Sequence, residues 1–221
     1  MAVETLQSVS KQSLREQALS ILRDAITNGD ISSGSHLSEV GLSTRLGISR
    51  GTLREAMIAL EHEGLIVSDS RGRVHVRIID EHEIAEIFQV RSALEGLAVE
   101  IICKIKDRTE IVRNLDKSLK ILDSTKDIKS RSKADLELHD LIMSSSGNQT
   151  LLEAWRALLS GIRLTMAQSG TEKGLQNMAA SRHKPIVDAI KLGDAKKARQ
   201  IVDQHMKEAV DRLTSAMNYN K

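Results

Sequence analysis

The stretch Leu42-Ser43-Thr44-Arg45-Leu46-Gly47-Ile48-Ser49-Arg50-Gly51-Thr52-Leu53-Arg54-Glu55-Ala56 decides how this chain reads. Leu42 and Leu46 form a short apolar stripe that Gly47 can end, and Ser49 can cap a second helix. In that helix Leu53, Ala56, Met57 and Leu60 stand at i, i+3, i+4 and i+7, which gives one buried face. Two short helices around a tight turn, with arginines opening the second, are how a helix-turn-helix presents side chains to DNA.

The neighbouring sequence completes the motif. Upstream, Leu14, Ala18, Ile21, Leu22, Ala25 and Ile26 predict a helix that Asn28-Gly29 ends, and Ser38 is an N-cap for the short helix that follows. Downstream, Leu65-Ile66-Val67, the polar turn 68–72, and Val74, Val76 and Ile78 alternating with Arg73, His75 and Arg77 predict a small hairpin. Three helices and a hairpin make a winged helix. From residue 81 the period returns to 3.6, with breaks expected near Lys106-Asp107, Thr125 to Ser130, Gly147, Ser169 to Gly174 and Gly193, so about six bundle helices are expected. The fold class is mainly α, with a winged helix-turn-helix domain over 1–78 and an all-α antiparallel bundle over 79–221.

Composition agrees with that class. Aromatic residues make up 1% of the 221 and proline occurs once, which disfavours a sandwich or barrel built on aromatic strands. Cys103 is the only cysteine, so an intrachain disulfide is excluded and a reducing compartment is favoured. With no secretory pattern at the N-terminus and no apolar run of membrane-spanning length, a cytoplasmic protein without a membrane partner is expected. The net charge of +2 selects no partner, but its distribution does: Arg45, Arg50 and Arg54 are the only charged residues between 45 and 54.

A recognition helix offers its first turns to the major groove, where arginine can read guanine O6 and N7 in bidentate fashion. Arg50 and Arg54 occupy that place, Ser49 and Thr52 carry hydroxyls suited to phosphate, and Arg45 is a phosphate candidate on the preceding helix. Arg71 and Gly72 stand at the hairpin tip, where a wing reaches the minor groove. For any one of these arginines the bland alternative is a solvated surface charge.

In the second half, Asp135, Leu138, His139 and Ile142 stand at i, i+3, i+4 and i+7, and His183, Ile186, Val187 and Ile190 repeat the spacing. His205 falls among Ala198, Val202, Met206 and Ala209, so one aspartate and three histidines face the bundle interior. Such a set suits a divalent transition metal of the zinc, nickel or manganese class; the alternative is four separately hydrogen-bonded core groups. Arg91 is either an anchor for an organic acid or the i, i+4 partner of Glu95, and Asn148 is either a ligand contact or an N-cap.

The run from Ile26 to Val76, with Leu-Ser-Glu-Val at 37–40, Leu-Gly-Ile-Ser-Arg at 46–50, Leu-Arg-Glu-Ala at 53–56, Leu-Glu-His-Glu-Gly-Leu-Ile at 60–66 and Gly72, resembles the GntR family of bacterial transcription regulators. The resemblance implies that Arg45, Arg50, Thr52, Arg54 and Gly72 face DNA. Ser33-Gly34 and Gly51-Thr52 depart from the family's usual Pro-Gly and Thr-Pro, and Gly41 replaces a common acid that would complete a capping box with Ser38.

Residues 81–215, through Arg91-Ser92-Ala93-Leu94-Glu95, Asp135 and His139, Ser146-Gly147-Asn148, His183, 189–194 and His205, resemble the FCD ligand-binding domain of FadR-like members. That resemblance implies Asp135, His139, His183 and His205 as metal ligands, an effector pocket, and a homodimer interface. Arg182 stands where the family commonly has Glu, and Pro185 either kinks its helix or marks the first turn. The expectation is a ligand-responsive regulator, with repression as its expected mode, that binds a palindromic operator as a homodimer. A metal-dependent hydrolytic enzyme fused to a DNA-binding domain and an effector-free DNA binder are the competing readings.

Overall fold

A computed structural model describes residues 12–168 and 175–217. The chain divides into two compact units, Met1–Arg77 and Ile78–Lys221.

The first unit packs α1 (Leu14–Thr27), α2 (Glu39–Leu46) and α3 (Arg50–His62) with a two-stranded antiparallel sheet, β1 (Ile66–Ser68) and β2 (Val74–Val76). Local chemistry sets each helix end. Ser13 and Glu16 form a reciprocal capping box on α1. Ser38 and Ser49 accept from the Gly41 and Thr52 amides at the starts of α2 and α3. Gly47 ends α2 at φ 66°, in the left-handed region that a Cβ disfavours. Ala18, Leu22 and Ile26 of α1 meet the Leu53, Ala56, Met57 and Leu60 face of α3, and Leu37, Leu65, Ile66 and Val76 complete the core. Each buried leucine there contributes roughly 1.5–3 kcal/mol. Arg23 reinforces the α1–α3 packing with a bidentate bond to Glu63 at 2.7 and 2.6 Å.

The hairpin is shorter than its alternation suggests. Ile66 pairs with Val76 in register, and Ile78 lies past the strand with 62% of its surface exposed, so the period-two pattern outruns the ladder.

The second unit contains, among the described residues, α4 (Glu81–Lys104), α5 (Thr109–Ser124), α6 (Ile128–Ser145), α7 (Gln149–Ala157), α8 (Leu159–Gln168), α9 (Ala180–Leu192) and α10 (Ala195–Met217). Where one helix was expected after Gly147 there are two, because the run breaks at Leu158 without glycine or proline. The break expected at Ser169 to Gly174 lies outside the described residues. Pro185 sits inside α9 rather than at its start. Helix α4 lies against α10, α6, α7 and α9, so side chains from four segments can meet on its inner face.

Candidate functional site

On α4 the core positions Phe88, Val99 and Ile102 share their face with two charged groups, Arg91 and Glu95, both buried. Arg91 Nε donates to Glu95 Oε1 at 2.6 Å, and Trp155 Nε1 of α7 donates to the same oxygen at 3.0 Å. The other oxygen, Oε2, accepts from His139 Nδ1 of α6 at 2.6 Å. Burial pushes the Glu95 carboxyl upward, but the Arg91 and His139 partners outweigh it and hold the group ionised.

These bonds fix the imidazoles. His139 spends its Nδ1 proton on Glu95, and His183 Nδ1 of α9 donates to the Ala179 carbonyl at 3.0 Å, so each neutral ring keeps its lone pair on Nε2. The two Nε2 atoms stand 3.1 Å apart. Asp135 Oδ1 lies 3.0 Å from His183 Nε2, and Asp135 Oδ2 lies 4.0 Å from His139 Nε2. The His205 ring of α10 completes the cluster, with centroids 4.6 Å from His183 and 5.7 Å from His139. One ligand atom from each of the three histidines lies within 4.8 Å of the others.

Lone pairs that converge in a buried space need a positive centre or a hydrogen-bond donor among them. Nitrogen ligands about 2.0–2.1 Å from a common ion are themselves about 3 Å apart, close to the His139–His183 separation. The residues therefore fit a divalent metal. Without one, a proton on His183 serves: burial lowers that ring's pKa, and Asp135 more than reverses the effect. Burial and then the neighbouring His183 push His205 well below its usual value, while burial and Arg91 lower His139. Asp135, despite burial, is held down to about 2 by His183.

A cavity of about 20 Å³ opens beside the cluster, lined in part by Arg91, Asp135, the three histidines and Asn177. That is room for one ion or one water. Arg91 forms the expected i, i+4 pair with Glu95 and also lines this cavity. Asn148, the other expected effector contact, is not brought to the site: its side chain accepts from the Leu151 amide at 3.1 Å and caps α7. Glu95 and Trp155 were missed as parts of the site; an acid at a core position of α4 is the signal that could have shown one of them.

In the first unit Arg45, Ser49, Arg50 and Arg54 are exposed around the start of α3, and Thr52 is half-buried. Ser49 Oγ and Thr52 Oγ1 hydrogen-bond each other at 2.9 Å. Arg54 is not free, because Nε and Nη2 donate to the Glu39 carboxylate at 3.1 and 2.8 Å. Arg71 and Gly72 are exposed in the turn between β1 and β2, Gly72 at φ 73°. Asp69 holds that turn by accepting from the Arg71 and Arg73 amides, each at 2.9 Å.

A winged helix-turn-helix joined to a helical bundle with an internal polar cluster defines a transcription regulator with a sensory domain. The chain belongs to the GntR family of bacterial regulatory proteins, in the group that carries a C-terminal FCD domain: the gntR model matches residues 14–76 and the FCD model residues 86–208. It is a transcription regulator and not an enzyme.

Among its relatives is the "Probable D-xylose utilization operon transcriptional repressor" of Paenarthrobacter nicotinovorans, 29% identical over 206 residues that cover 91% of each chain. The gluconate operon transcriptional repressor of Bacillus subtilis is 29% identical over 213 residues, covering 93% of this chain and 87% of that one. Among solved structures, a GntR transcriptional regulator from Rhodococcus sp. RHA1 shares the fold with a TM-score of 0.78 and 24% identity, over 92% of this chain and 99% of that one. Among the described residues no helix is long and apolar enough to cross a membrane.

Proposed function

We infer that the chain works as a homodimer on a palindromic operator and responds to a small organic acid bound beside a divalent metal in the FCD domain. Asp135, His139, His183 and His205 are the ligands, and the ion belongs to the zinc, nickel or manganese class. When bound, such an ion supplies a Lewis-acidic centre for a carboxylate oxygen. The observation that carries the reading is the 3.1 Å approach of two Nε2 atoms whose rings both donate outward through Nδ1. Four core groups satisfied separately would not aim their lone pairs at one another.

On the DNA side, Arg50 and Arg54 read base edges, Arg45, Ser49 and Thr52 hold phosphate, and Arg71 and Gly72 carry the wing into the minor groove. The exposure of Arg45, Ser49, Arg50 and Arg54 around the start of α3, and of Arg71 and Gly72 at the hairpin tip, supports these roles. One module reads too few base pairs for genomic specificity, which supports two-fold pairing of modules, with residues 1–78 reading DNA and 79–221 sensing and pairing. One relative's operon is named for gluconate, a sugar acid, in keeping with an acid effector.

Metal analysis of the purified chain and of a His139→Ala/His205→Ala double variant tests the sensing half. One equivalent of metal in the parent and none in the variant is expected. Metal that persists in the variant rejects the ligand set, and footprints unchanged by Arg50→Ala reject the DNA assignment.

A further inference from the structure

In the first unit the segment that leads into α2 lies along β2. Gly34 N donates to the Val76 carbonyl at 2.9 Å, Val76 N to the Ser35 carbonyl at 2.9 Å, and Leu37 N to the Val74 carbonyl at 2.8 Å. His75, half-buried in the middle of β2, stands where this segment and the turn between the strands meet. Three groups surround its ring. Nδ1 donates to the Gly34 carbonyl at 3.3 Å, Nε2 lies 3.8 Å from Asp69 Oδ2, and the His36 ring packs edge-on with centroids 5.3 Å apart.

A carbonyl only accepts, so the Gly34 bond puts the proton on Nδ1 and leaves the neutral ring's lone pair on Nε2. That lone pair faces the Asp69 carboxylate, acceptor against acceptor, at a separation too long for a hydrogen bond. Asp69 has room for one more donor. Of its roughly four lone-pair sites, the Arg71 and Arg73 amides take two on Oδ1 and Arg73 Nε takes one on Oδ2, which among the described residues leaves one on the oxygen nearest His75. The bonds from Arg73 and Arg71 hold the Asp69 carboxyl down to about 2, so it is an anion between about pH 5 and 8, where histidine titrates. One proton on the ring makes Nε2 a charged donor aimed at that site, and about 1 Å of movement closes the bond. The other charged groups on the surrounding segments are Arg73 and Arg77 of β2 and its flank, Asp30 and His36 of the leading segment, and Arg71 of the turn; β1 carries no charge, and its Ser68 donates to Glu61 of α3.

We propose that His75 is a proton-dependent positioning residue of the wing: its imidazolium joins Asp69 to the Gly34 carbonyl, clamps the turn that presents Arg71 and Gly72 to the segment feeding α2, and so tightens the hold on the operator in acid. The clamp is a property of the free protein. Its effect on the operator rests on the reading of Arg71 and Gly72 as DNA contacts.

The test is amide hydrogen exchange of the full chain, corrected for the intrinsic effect of pH, together with operator titrations, at about pH 8 and about pH 5.5. Protection at the Arg71 and Arg73 amides is expected to rise about threefold on acidification, the scale of a partly exposed ion pair, with operator affinity rising by a similar factor. His75→Asn keeps a donor where Nδ1 stands but does not reach Asp69, and the rise in protection should vanish; the remaining histidines are common to both proteins, so their titration cancels in the comparison. His36→Gln should keep the rise. Asp69→Asn should reverse it, because Oδ1 still accepts from the two amides while the new NH2 donates to the neutral Nε2 and faces a donor once the ring is protonated. Flat protection in the parent, a rise that survives His75→Asn or disappears in His36→Gln, or no reversal in a folded Asp69→Asn overturns the proposal. The comparison of parent with His75→Asn decides the matter even if Asp69→Asn does not form the turn. Protection that responds as expected while operator affinity does not follow supports the clamp and rejects the wing as a DNA contact, whereas flat protection with operator binding weakened by Arg71→Ala rejects the clamp and keeps the wing on DNA.

Discussion

Arg54 of the recognition helix donates through Nε and Nη2 to both carboxylate oxygens of Glu39, at 3.1 and 2.8 Å, so its guanidinium is oriented from α2 before any DNA arrives. The pair is largely solvated, with Arg54 62% exposed, so its own contribution to stability is small. Its consequence lies in recognition. Two of the five guanidinium N–H groups are committed, and both Nη1 donors and one Nη2 donor remain open.

Glu39→Gln therefore separates affinity from discrimination. Losing an acid near the phosphates should hold or raise general DNA affinity, while the unanchored Arg54 should read bases less sharply. Arg54→Ala should weaken operator binding by about 1–3 kcal/mol and relax base preference. Anisotropy titrations on a selected operator and its single-base variants check both. Discrimination that is unchanged in Glu39→Gln would show that the ion pair plays no part in reading.

Glu95→Gln tests the proposed metal site without replacing a proposed ligand. The amide can accept from Arg91 and Trp155 through its oxygen, but it then turns an NH2 toward His139 Nδ1, which pushes that ring's proton onto Nε2 and removes the lone pair. Metal affinity should fall about 10–100-fold in a chelator competition, the usual effect of losing such a supporting partner. Burying Arg91 without its counter-charge should also lower stability by on the order of 3 kcal/mol, measured by denaturant unfolding of the metal-free protein.

How far the sequence foretold this arrangement depends on the range of the forces involved. Ser38, Gly47 and Ser49 announced the helix-turn-helix because caps and left-handed turns are decided within a few residues. The inward placement of Asp135, His139, His183 and His205 was legible for the same reason, since helical period alone puts them on apolar faces. That Glu95 would reach across to His139 was not, because it depends on how α4 and α6 pack, 44 residues apart along the chain. For Asn148 the sequence left two roles open, because a capping amide and a ligand-binding amide look alike in a linear pattern, and the structure shows the cap.

The wing should depend on Asp69. Its carboxylate accepts from the Arg71 and Arg73 amides and from Arg73 Nε at 2.8 Å, and these bonds hold its pKa down to about 2. The turn they close presents Arg71 and Gly72. Asp69→Ala should leave the α1–α3 core folded by circular dichroism yet weaken operator binding by about tenfold, with faster hydrogen exchange at the Arg71 and Arg73 amides. Wild-type binding in this variant would mean that the hairpin tip does not meet DNA.

The metal-free protein should lose stability as pH falls below about 6.5, the ordinary histidine value. Burial with Arg91 lowers His139 and burial with His183 lowers His205, so the unfolded chain takes up protons at these positions before the folded one does. Their contribution is complete above the unfolded pKa and is lost on going down toward the folded ones. His183 runs the other way: Asp135 raises it, and its contribution is present below 6.5 and lost as pH rises through the folded value. Two lowered rings against one raised ring give a net fall in melting temperature between pH 7 and pH 5. Removing the largest downward shift, in His205→Leu, should flatten that fall. An unchanged slope in the variant would place the pH dependence outside the histidine cluster.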